Sequence, residues 1–214
     1  MNGIVFYIGL GAGLAAACGL RAFLPALLAG VLASSKVLGV SFAGGSFHFL
    51  AATWWLLAVT VALVLAYALQ LLLGLAPVID SSDRSKPVGP LSASLAGLGL
   101  GAGAVLFAGT LAAHGDAWWP GLIGGFFIAG LAQRAVWPVI YRARTRLSAS
   151  SPKGDRAARE ALSVYLDACA LALAALVAAL HPLGYVAVAA LAWFAWRGRA
   201  RGDEKYAGLR ILRR

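Results

Sequence analysis

An arginine interrupts the first long apolar stretch of this chain. Arg21 lies within a segment that runs from Gly3 to Val40, and Pro25 follows four residues later. An arginine at the centre of a membrane span costs about 2.5–3.5 kcal/mol, so such a residue indicates a site or a pairing partner. The same pattern returns 113 positions later, where Arg134 and Pro138 lie in a second apolar, glycine-rich segment. The two copies predict an internally repeated membrane protein that handles an anion.

The composition supports a membrane location. The chain has 214 residues, of which 61% are hydrophobic and only 12% are charged, whereas soluble domains carry about 25% charged residues. Of the 18 Lys and Arg residues, 15 fall in the ranges 84–86, 142–159 and 197–214. This clustering is typical of the cytoplasmic side of an inner-membrane protein, with anionic lipid headgroups as partners. It argues against nucleic acid as a partner.

Six apolar segments predict an all-α integral membrane protein with about six transmembrane helices. If the basic loops face the cytoplasm, both chain termini are cytoplasmic as well. Three spans per repeat is an odd number, so the second half is predicted to be inverted relative to the first, as in many transporters. Repeat one covers about 3–113, repeat two about 115–196, and 197–214 is a basic cytoplasmic tail. The segments are Ile4–Leu38, Phe49–Leu75, Leu91–Ala113, Gly121–Tyr141, Ala161–Leu180 and Tyr185–Trp196.

Proline predicts a break in the first and the fourth of these helices. Pro25 and Pro138 each lack a backbone N–H, which removes one helical hydrogen bond and frees a carbonyl. The first helix is therefore expected to break near Pro25 and the fourth near Pro138. Residues 3–40 form one span, two spans or a re-entrant hairpin, and the last two alternatives place the N-terminus outside.

The two arginines, together with their prolines, are the predicted substrate-binding residues. The guanidinium of Arg21 or Arg134 presents a rigid fork of donors that matches a carboxylate or a phosphate. The broken helices at Pro25 and Pro138 would add exposed backbone groups and helix-dipole ends. The alternative is that a structural partner holds each arginine.

Asp167 and Gln70 are the predicted charge partners or gates. Asp167 and Arg134 lie at similar depths, roughly 9–12 Å from the inner surface at a rise of 1.5 Å per residue. An Arg134–Asp167 pair is therefore expected, either as structural neutralisation or as a proton- or ion-coupled gate. Arg21 has no carboxylate at a matching depth, which makes it the better candidate for an anionic ligand. Gln70 is the strongly polar residue deep in the second apolar segment.

Glycines four residues apart predict close helix packing and a homodimer through glycine faces. They do not follow a strand with an acidic residue about 20 positions later, so they are not a dinucleotide-binding fingerprint. The pairs are Gly9 and Gly13, Gly97 and Gly101, Gly99 and Gly103, and Gly121 and Gly125.

No set of residues predicts catalysis or metal binding. His48, His114 and His181 are all expected on the outer side, but their spacing is not that of metal ligands. Cys18 and Cys169 both fall within apolar segments and are expected to be free thiols. We therefore expect no enzymatic activity, no cofactor and no metal.

The first arginine motif carries a resemblance to a known family. The run from Gly13 through Arg21 to Pro25 resembles the N-terminal signature of a bacterial membrane family of unknown function, catalogued as domain of unknown function 4126. The stretch from Pro77 to Pro87 is similar to its central loop, and the stretch from Leu162 to Pro182 to its last hairpin. This resemblance implies a membrane architecture and no particular activity. Where the family often has an acidic residue in the second span, this chain has Gln70.

Two functions fit these observations. The first is a small transporter or channel for an anionic solute or a lipid phosphate headgroup, with Arg21 and Arg134 as ligands. The second is a non-transporting scaffold or assembly factor, whose arginines pair internally and whose basic tail recruits a partner or anionic lipid.

Overall fold

The computed structural model describes residues 3–42, 45–72, 90–148 and 154–211. Within these residues the regular structure is entirely helical, which confirms the predicted class. A 3-10 helix, His48–Ala51, precedes the third α-helix. The seven α-helices are α1 (Ile4–Leu20), α2 (Phe23–Ser35), α3 (Thr53–Leu72), α4 (Pro90–Ala112), α5 (Trp118–Ser148), α6 (Gly154–Ala179) and α7 (Leu183–Ile211).

The first apolar segment breaks at Arg21, between α1 and α2. Pro25 has no N–H to donate to the carbonyl of Arg21, so a continuous helix would lose its hydrogen bond there. The chain instead becomes extended at Arg21, with φ −150° and ψ 123°, and α2 begins at Phe23. Pro25 thus lies in the first turn of α2, where a helix needs no N–H donor. The predicted break near Pro25 is confirmed, and it falls one turn before the proline.

Helices α1 and α2 form an antiparallel helical hairpin. A Cβ placed on Gly9, near the start of α1, would lie 2.6 Å from the carbonyl oxygen of His181. A Cβ placed on Gly39, just after α2, would lie 3.7 Å from Nε2 of the same histidine. The chain therefore leaves this region in α1, turns at Arg21 and Ala22, and returns to it in α2. A single continuous helix over residues 3–40 is therefore excluded, and the choice between two spans and a re-entrant hairpin stays a prediction. We call the two ends of the bundle the tip end, with Arg21, and the histidine end, with His181.

Helix α1 is the centre of the bundle. Every residue from Gly9 to Gly19 is buried, and α1 contacts α4, α5, α6 and α7 as well as α2. A helix that is buried all round must be apolar all round, and this one is built mostly from glycine and alanine. Gly13 packs on Val177 of α6, and Gly103 of α4 packs on Ala15. The predicted role of closely spaced glycines in helix packing is confirmed here, whereas Gly97 and Gly101 face open space.

The two helices that carry the arginine motifs run in the same direction. Helix α4 is antiparallel to α1, because Gly103 meets Ala15 and Gly99 meets Cys18. It is also antiparallel to α5, because Gly121 meets Ala108 and Gly125 meets Gly103. Two helices that are each antiparallel to a third are parallel to each other. An inverted relation between the Arg21 and Arg134 segments, predicted from an odd number of spans, is therefore wrong. The hairpin adds a helix to the first half and changes the parity.

Helix α5 continues through Pro138. It runs without interruption from Trp118 to Ser148, so the predicted break in the fourth apolar segment is wrong. Helix α5 packs along α4 and α1, and such packing keeps the helix intact although one backbone hydrogen bond is missing. The same residue type therefore ends a helix at the hairpin and is tolerated in the interior of α5.

The two ends of the chain lie at opposite ends of the bundle. Helix α1 begins at the histidine end, whereas α7 begins there, at Leu183, and runs away from it. Within the described residues the start of α1 and the end of α7 therefore lie at opposite ends of the bundle, because the hairpin reverses the chain once more than six spans would, and the membrane side of each terminus stays a prediction. Helix α7 also extends to Ile211, so the tail predicted from residue 197 is helical as far as that residue.

Small residues fill the core and large apolar residues face outward. Alanines make up more than half of the buried hydrophobic residues, and Thr110 is the one buried polar residue among those described. Two helical segments of the described residues, Ala93–Ala112 and Ala161–Ala179, are long and apolar enough to cross a membrane. Shorter apolar helices are Ile4–Leu20, Phe23–Ser35, Thr53–Leu69 and Leu183–Arg197.

Candidate functional site

Arg21 forms an ion pair with Asp167 at the tip of the hairpin. Its Nε lies 2.7 Å from Oδ1 of Asp167, and the two side chains are 19% and 13% exposed. The Nε hydrogen does not point at the carboxylate oxygen, so the contact is ionic rather than a hydrogen bond. The guanidinium is also held by Ser163, because Nη2 donates to its Oγ at 2.5 Å and to its carbonyl oxygen at 3.3 Å.

This pairing corrects the predicted Arg134–Asp167 pair. Asp167 does form an ion pair with an arginine, but that arginine is Arg21 and not Arg134. The depth estimate treated the first segment as one span, whereas the hairpin turns Arg21 toward α6. Arg21 therefore does have a carboxylate partner, contrary to the expectation from sequence. The expectation that Asp167 is a charge partner holds with Arg21 in place of Arg134.

Tyr67 of α3 completes the contacts of the carboxylate. Its hydroxyl donates a short hydrogen bond to Oδ2 of Asp167. The two oxygens of Asp167 are thus engaged by different helices, one by the hairpin tip and one by α3. On Arg21, Nη1 makes no hydrogen bond to a residue that the structure describes. An arginine whose Nη1 hydrogens make no bond to these described residues keeps part of its donor fork for a ligand.

A cavity of about 160 Å³ opens beside this pair. It is lined by the tip of the hairpin, by the late turns of α3, by the early turns of α4, and by α5 and α6. Most of its wall is apolar, and Arg21, Tyr67, Gln133 and Asp167 supply the large polar side chains. An apolar pocket with a few convergent polar groups is the usual form of a small-molecule site.

Backbone groups at the hairpin tip add to the positive character of this cavity. Ala22, Phe23 and Leu24 line it, and they form the beginning of α2, which has no side-chain cap. The first N–H groups of an uncapped helix have no helical partner and carry the positive end of the helix dipole. The guanidinium of Arg21 and this helix start therefore lie on the same cavity. Together they favour an anion.

Gln133 is the cavity residue that sequence reasoning missed. Its Nε2 donates to the carbonyl oxygen of Ala96 at 2.9 Å, which joins α5 to α4 at the cavity wall. The sequence pattern indicated its charged neighbour Arg134 as a site residue and did not indicate Gln133. Ser163 was also missed, although it lies four residues before Asp167 and therefore shares its face of α6. A polar residue one helical turn from Asp167 was the available signal.

Arg134 lies outside the cavity, on the exposed surface of α5. It shares the outward face with Phe127, one heptad earlier, which is 69% exposed. The adjacent residues Ala132 and Ala135 face the core. Among the described residues Arg134 has no ion-pair partner. The structure therefore does not bring the two arginines together in this cavity, and a substrate-binding role for Arg134 stays a prediction.

The remaining predicted site residues do not reach the cavity or lie outside the described side chains. Pro25 is fully buried and is not part of the cavity wall, so it shapes the tip and is not a ligand. The side chains of Gln70 and Pro138 lie outside the described part of the structure, as does the loop from Pro77 to Pro87.

A second polar cluster lies at the histidine end. His114 stacks on Tyr7 of α1, and its Nδ1 lies 2.7 Å from the carbonyl oxygen of Thr110. Partial burial lowers the pKa of His181, and the positive charge of nearby His114 lowers it further. Within the described residues no three metal-ligating side chains come together.

No protein family, curated protein or solved structure shows a significant match to this chain. The resemblance of the Arg21 motif to a bacterial membrane family therefore stays a prediction.

Proposed function

We propose that this chain is a small multi-pass inner-membrane protein. The distribution of apolar residues supports this proposal, because alanines fill the core while Trp, Leu and Phe side chains cover the outside. Water would penalise such a surface, whereas lipid favours large apolar residues outside and close packing of small ones inside. Helix α3 presents a continuous outward face of this kind, formed by Trp54, Leu57, Val61, Val64 and Leu65.

The basic segments then orient the protein. Helix α3 ends and α4 begins at the tip end, where α5 also ends and α6 begins, and the basic residues of 84–86 and 142–159 are closest in sequence to these helix ends. Positive residues favour the cytoplasmic side. The tip end therefore faces the cytoplasm, with the start of α1 outside and the end of α7 inside. Anionic lipid headgroups are the partners of these basic segments.

Within this protein, Arg21 binds an anionic solute or a lipid phosphate headgroup in the cavity at the hairpin tip, and the protein moves it across the membrane. The observation that carries this function is an arginine whose Nη1 makes no hydrogen bond to a described residue, beside an uncapped helix start, on a cavity of about 160 Å³. A re-entrant hairpin with irregular backbone is tolerated at membrane depth where it lines a cavity. Transporters bind substrates at such discontinuous helices.

Anion flux into proteoliposomes tests this function. The panel comprises radiolabelled phosphate, sulfate and acetate, and a fluorescent short-chain phosphatidic acid whose transbilayer movement is read by quenching. The variant Arg21→Gln/Asp167→Asn removes both charges and leaves no unpaired one. We expect it to lose at least about tenfold of the wild-type flux, as expected for one lost hydrogen bond to a charge. Arg134→Gln is the matched control and is expected to keep the wild-type flux. Absence of flux from folded wild-type protein across the panel would reject the function.

A non-transporting scaffold is the second candidate. The ion pair itself favours it, because Arg21 is already neutralised by Asp167 and held by Ser163. Under this alternative the Arg21–Asp167 pair fixes the hairpin, and the basic end of α7 recruits a partner or anionic lipid. Deleting the residues after Trp196 would then impair function more than the double charge variant does.

A further inference from the structure

The two formal charges of the tip cavity cancel each other. Arg21 and Asp167 are the formally charged side chains among the described residues that line it. The other ionisable groups there are the thiol of Cys18 and the hydroxyl of Tyr67, both of which are ordinarily neutral near pH 7. Helix α5 contributes the uncharged Gln133, and α4 contributes only apolar residues and glycine. The formal charges of the described residues that line the cavity therefore sum to zero.

A bound anion would disturb this balance. A monoanion beside Arg21 brings a second negative charge next to the carboxylate of Asp167 and leaves the cavity with a net charge of one unit. A net charge in a poorly hydrated site is costly, and two negative groups beside one guanidinium repel each other. Neutrality returns if one of the two negative groups takes up a proton. Asp167 is the negative group of the protein that is positioned beside Arg21 to take up this proton.

Building on the proposed function, we infer that anion binding at Arg21 is coupled to the uptake of one proton by Asp167. A proton from the bulk solution, delivered by hydronium or buffer acid whose conjugate base stays in solution, adds to Oδ1 of Asp167 and cancels its negative charge. The Nε contact at 2.7 Å then loses its ionic attraction, and Arg21 turns its donors to the incoming anion. Tyr67 remains hydrogen-bonded to Oδ2 throughout. Only a proton is transferred in this step, and no other covalent bond changes.

The geometry of the pair suits such an exchange. The Nε hydrogen is not aimed at Oδ1, so the contact has no strong directional component to overcome. Ser163 holds Nη2 by its hydroxyl and carbonyl oxygens, which keeps the guanidinium at the cavity when the carboxylate is neutral. A monoanion and a proton then enter together, and the step carries no net charge. Its driving force is a pH difference.

Calorimetry with anions of fixed charge tests the coupling. Methyl sulfate and hexyl sulfate are both monoanions that do not titrate near neutral pH, so any proton uptake comes from the protein. Binding to the full-length protein in nanodiscs is measured in two buffers of different ionisation enthalpy, which gives the number of protons taken up. The wild type is expected to take up about one proton per anion, with affinity rising at most about tenfold per unit fall in pH.

Two variants test whether Asp167 is the residue that takes up the proton. Asp167→Asn mimics the protonated carboxyl, so it is expected to bind at least as tightly as the wild type, with no proton uptake and no pH dependence. Arg21→Gln/Asp167→Asn is expected to show no binding. Wild-type binding without proton uptake, at equal affinity in both pH conditions, would overturn the coupling and leave the proposed function intact. Wild-type protein that binds neither anion would overturn both.

The two probes also distinguish the source of the anion. They share a sulfate group and differ only in their hydrocarbon chain. If the ligand is a lipid headgroup, its chain lies along the apolar wall, and each buried methylene increases the affinity about fourfold. Hexyl sulfate then binds far more tightly than methyl sulfate. Equal affinities indicate a free anionic solute.

Discussion

Arg21 and Arg134 have similar local sequences and opposite surroundings. Each arginine is followed by alanine and, four residues on, by proline. Arg21 lies where the helix has ended, on a cavity, beside Asp167 and Ser163. Arg134 lies within a continuous helix and faces outward, without an ion pair to a described residue. The difference teaches that neighbouring helices, rather than the five-residue motif, decide what such an arginine does.

The largest effect on the free energy of unfolding is expected when the carboxylate of Asp167 is removed. Asp167→Ala leaves Arg21 without its ionic partner, and we expect the free energy of unfolding to fall by about 3 kcal/mol. This is the low end for breaking a buried pair, because the two side chains are 19% and 13% exposed. Reversible unfolding in mixed detergent micelles measures it. Arg21→Gln added to this variant should recover part of the loss, because no charge then remains unpaired. A loss below about 0.5 kcal/mol, as at a surface position, would contradict the contrast.

The next test concerns the glycines before each arginine. A Cβ on Gly19, two residues before Arg21, would overlap the carbonyl oxygen of Ala129 in α5. Gly19→Ala is therefore expected to separate α1 from α5 and to cost about 1–3 kcal/mol. Gly130, four residues before Arg134, would make only an ordinary contact at 3.5 Å with Leu100. Gly130→Ala is expected to stabilise the helix by up to about 1 kcal/mol. If Gly19→Ala and Gly130→Ala changed the free energy of unfolding equally, the two glycines would not differ in how closely they pack.

Removing a single hydrogen bond to Arg21 gives a smaller effect. Ser163→Ala deletes the hydroxyl acceptor but keeps the carbonyl, and we expect a cost of about 1–2 kcal/mol in the free energy of unfolding. Ser34→Ala is the matched control, because the Ser34 hydroxyl donates only to a carbonyl of its own helix on an exposed surface. If both variants unfold alike, Ser163 does not hold the guanidinium.

The pH dependence of the stability tests the histidine end of the bundle, for comparison with the tip end. The folded state lowers the pKa of His181 from its ordinary value of 6.5. The unfolded chain therefore takes up a proton at a higher pH than the folded one. The stability that depends on neutral His181 is fully present above about pH 6.5 and is lost as the pH falls through the lowered pKa. The unfolding midpoint measured against pH should lose this component in His181→Gln. An unchanged profile would show that His181 does not cause the acid effect.

The smallest expected effect is at the second arginine. Arg134→Gln should change the free energy of unfolding by no more than about 0.5 kcal/mol, because an exposed residue without a partner loses little on substitution. The same unfolding assay and the flux assay check this. A loss close to that of Asp167→Ala would mean that Arg134 also has a buried partner.

The sequence predicted much of the fold because helical patterns are local. Each of the six apolar segments contains a helix, and Pro25 marked the break that forms the hairpin. Glycines at Gly9, Gly13 and Gly103 indicated close packing, which the structure contains. Pro138 was read in the same way as Pro25, but a proline inside a long, well-packed helix does not end it. Local sequence did not separate these two cases.

The site was only partly predictable. The charge of Arg21 and Asp167 within apolar segments marked both residues, since each needs a partner or a ligand. Arg21 contacts Ser163, which is 142 residues away in sequence, and Asp167, which is 146 residues away. No local sequence pattern encodes contacts over such a distance. Gln133 was overlooked because its charged neighbour seemed the more informative residue. Its role follows from the orientation of α5 toward α4.

The sequence by itself determined that the chain is helical, that its first apolar segment breaks before Pro25, and that two arginines and one aspartate lie among apolar residues. Helical periodicity and the missing proline N–H act within a few residues, so these features follow from local chemistry. Only the tertiary structure decided that α1 and α5 run in parallel and that Asp167 lies beside Arg21. Those choices depend on which glycine and alanine surfaces fit together across the bundle.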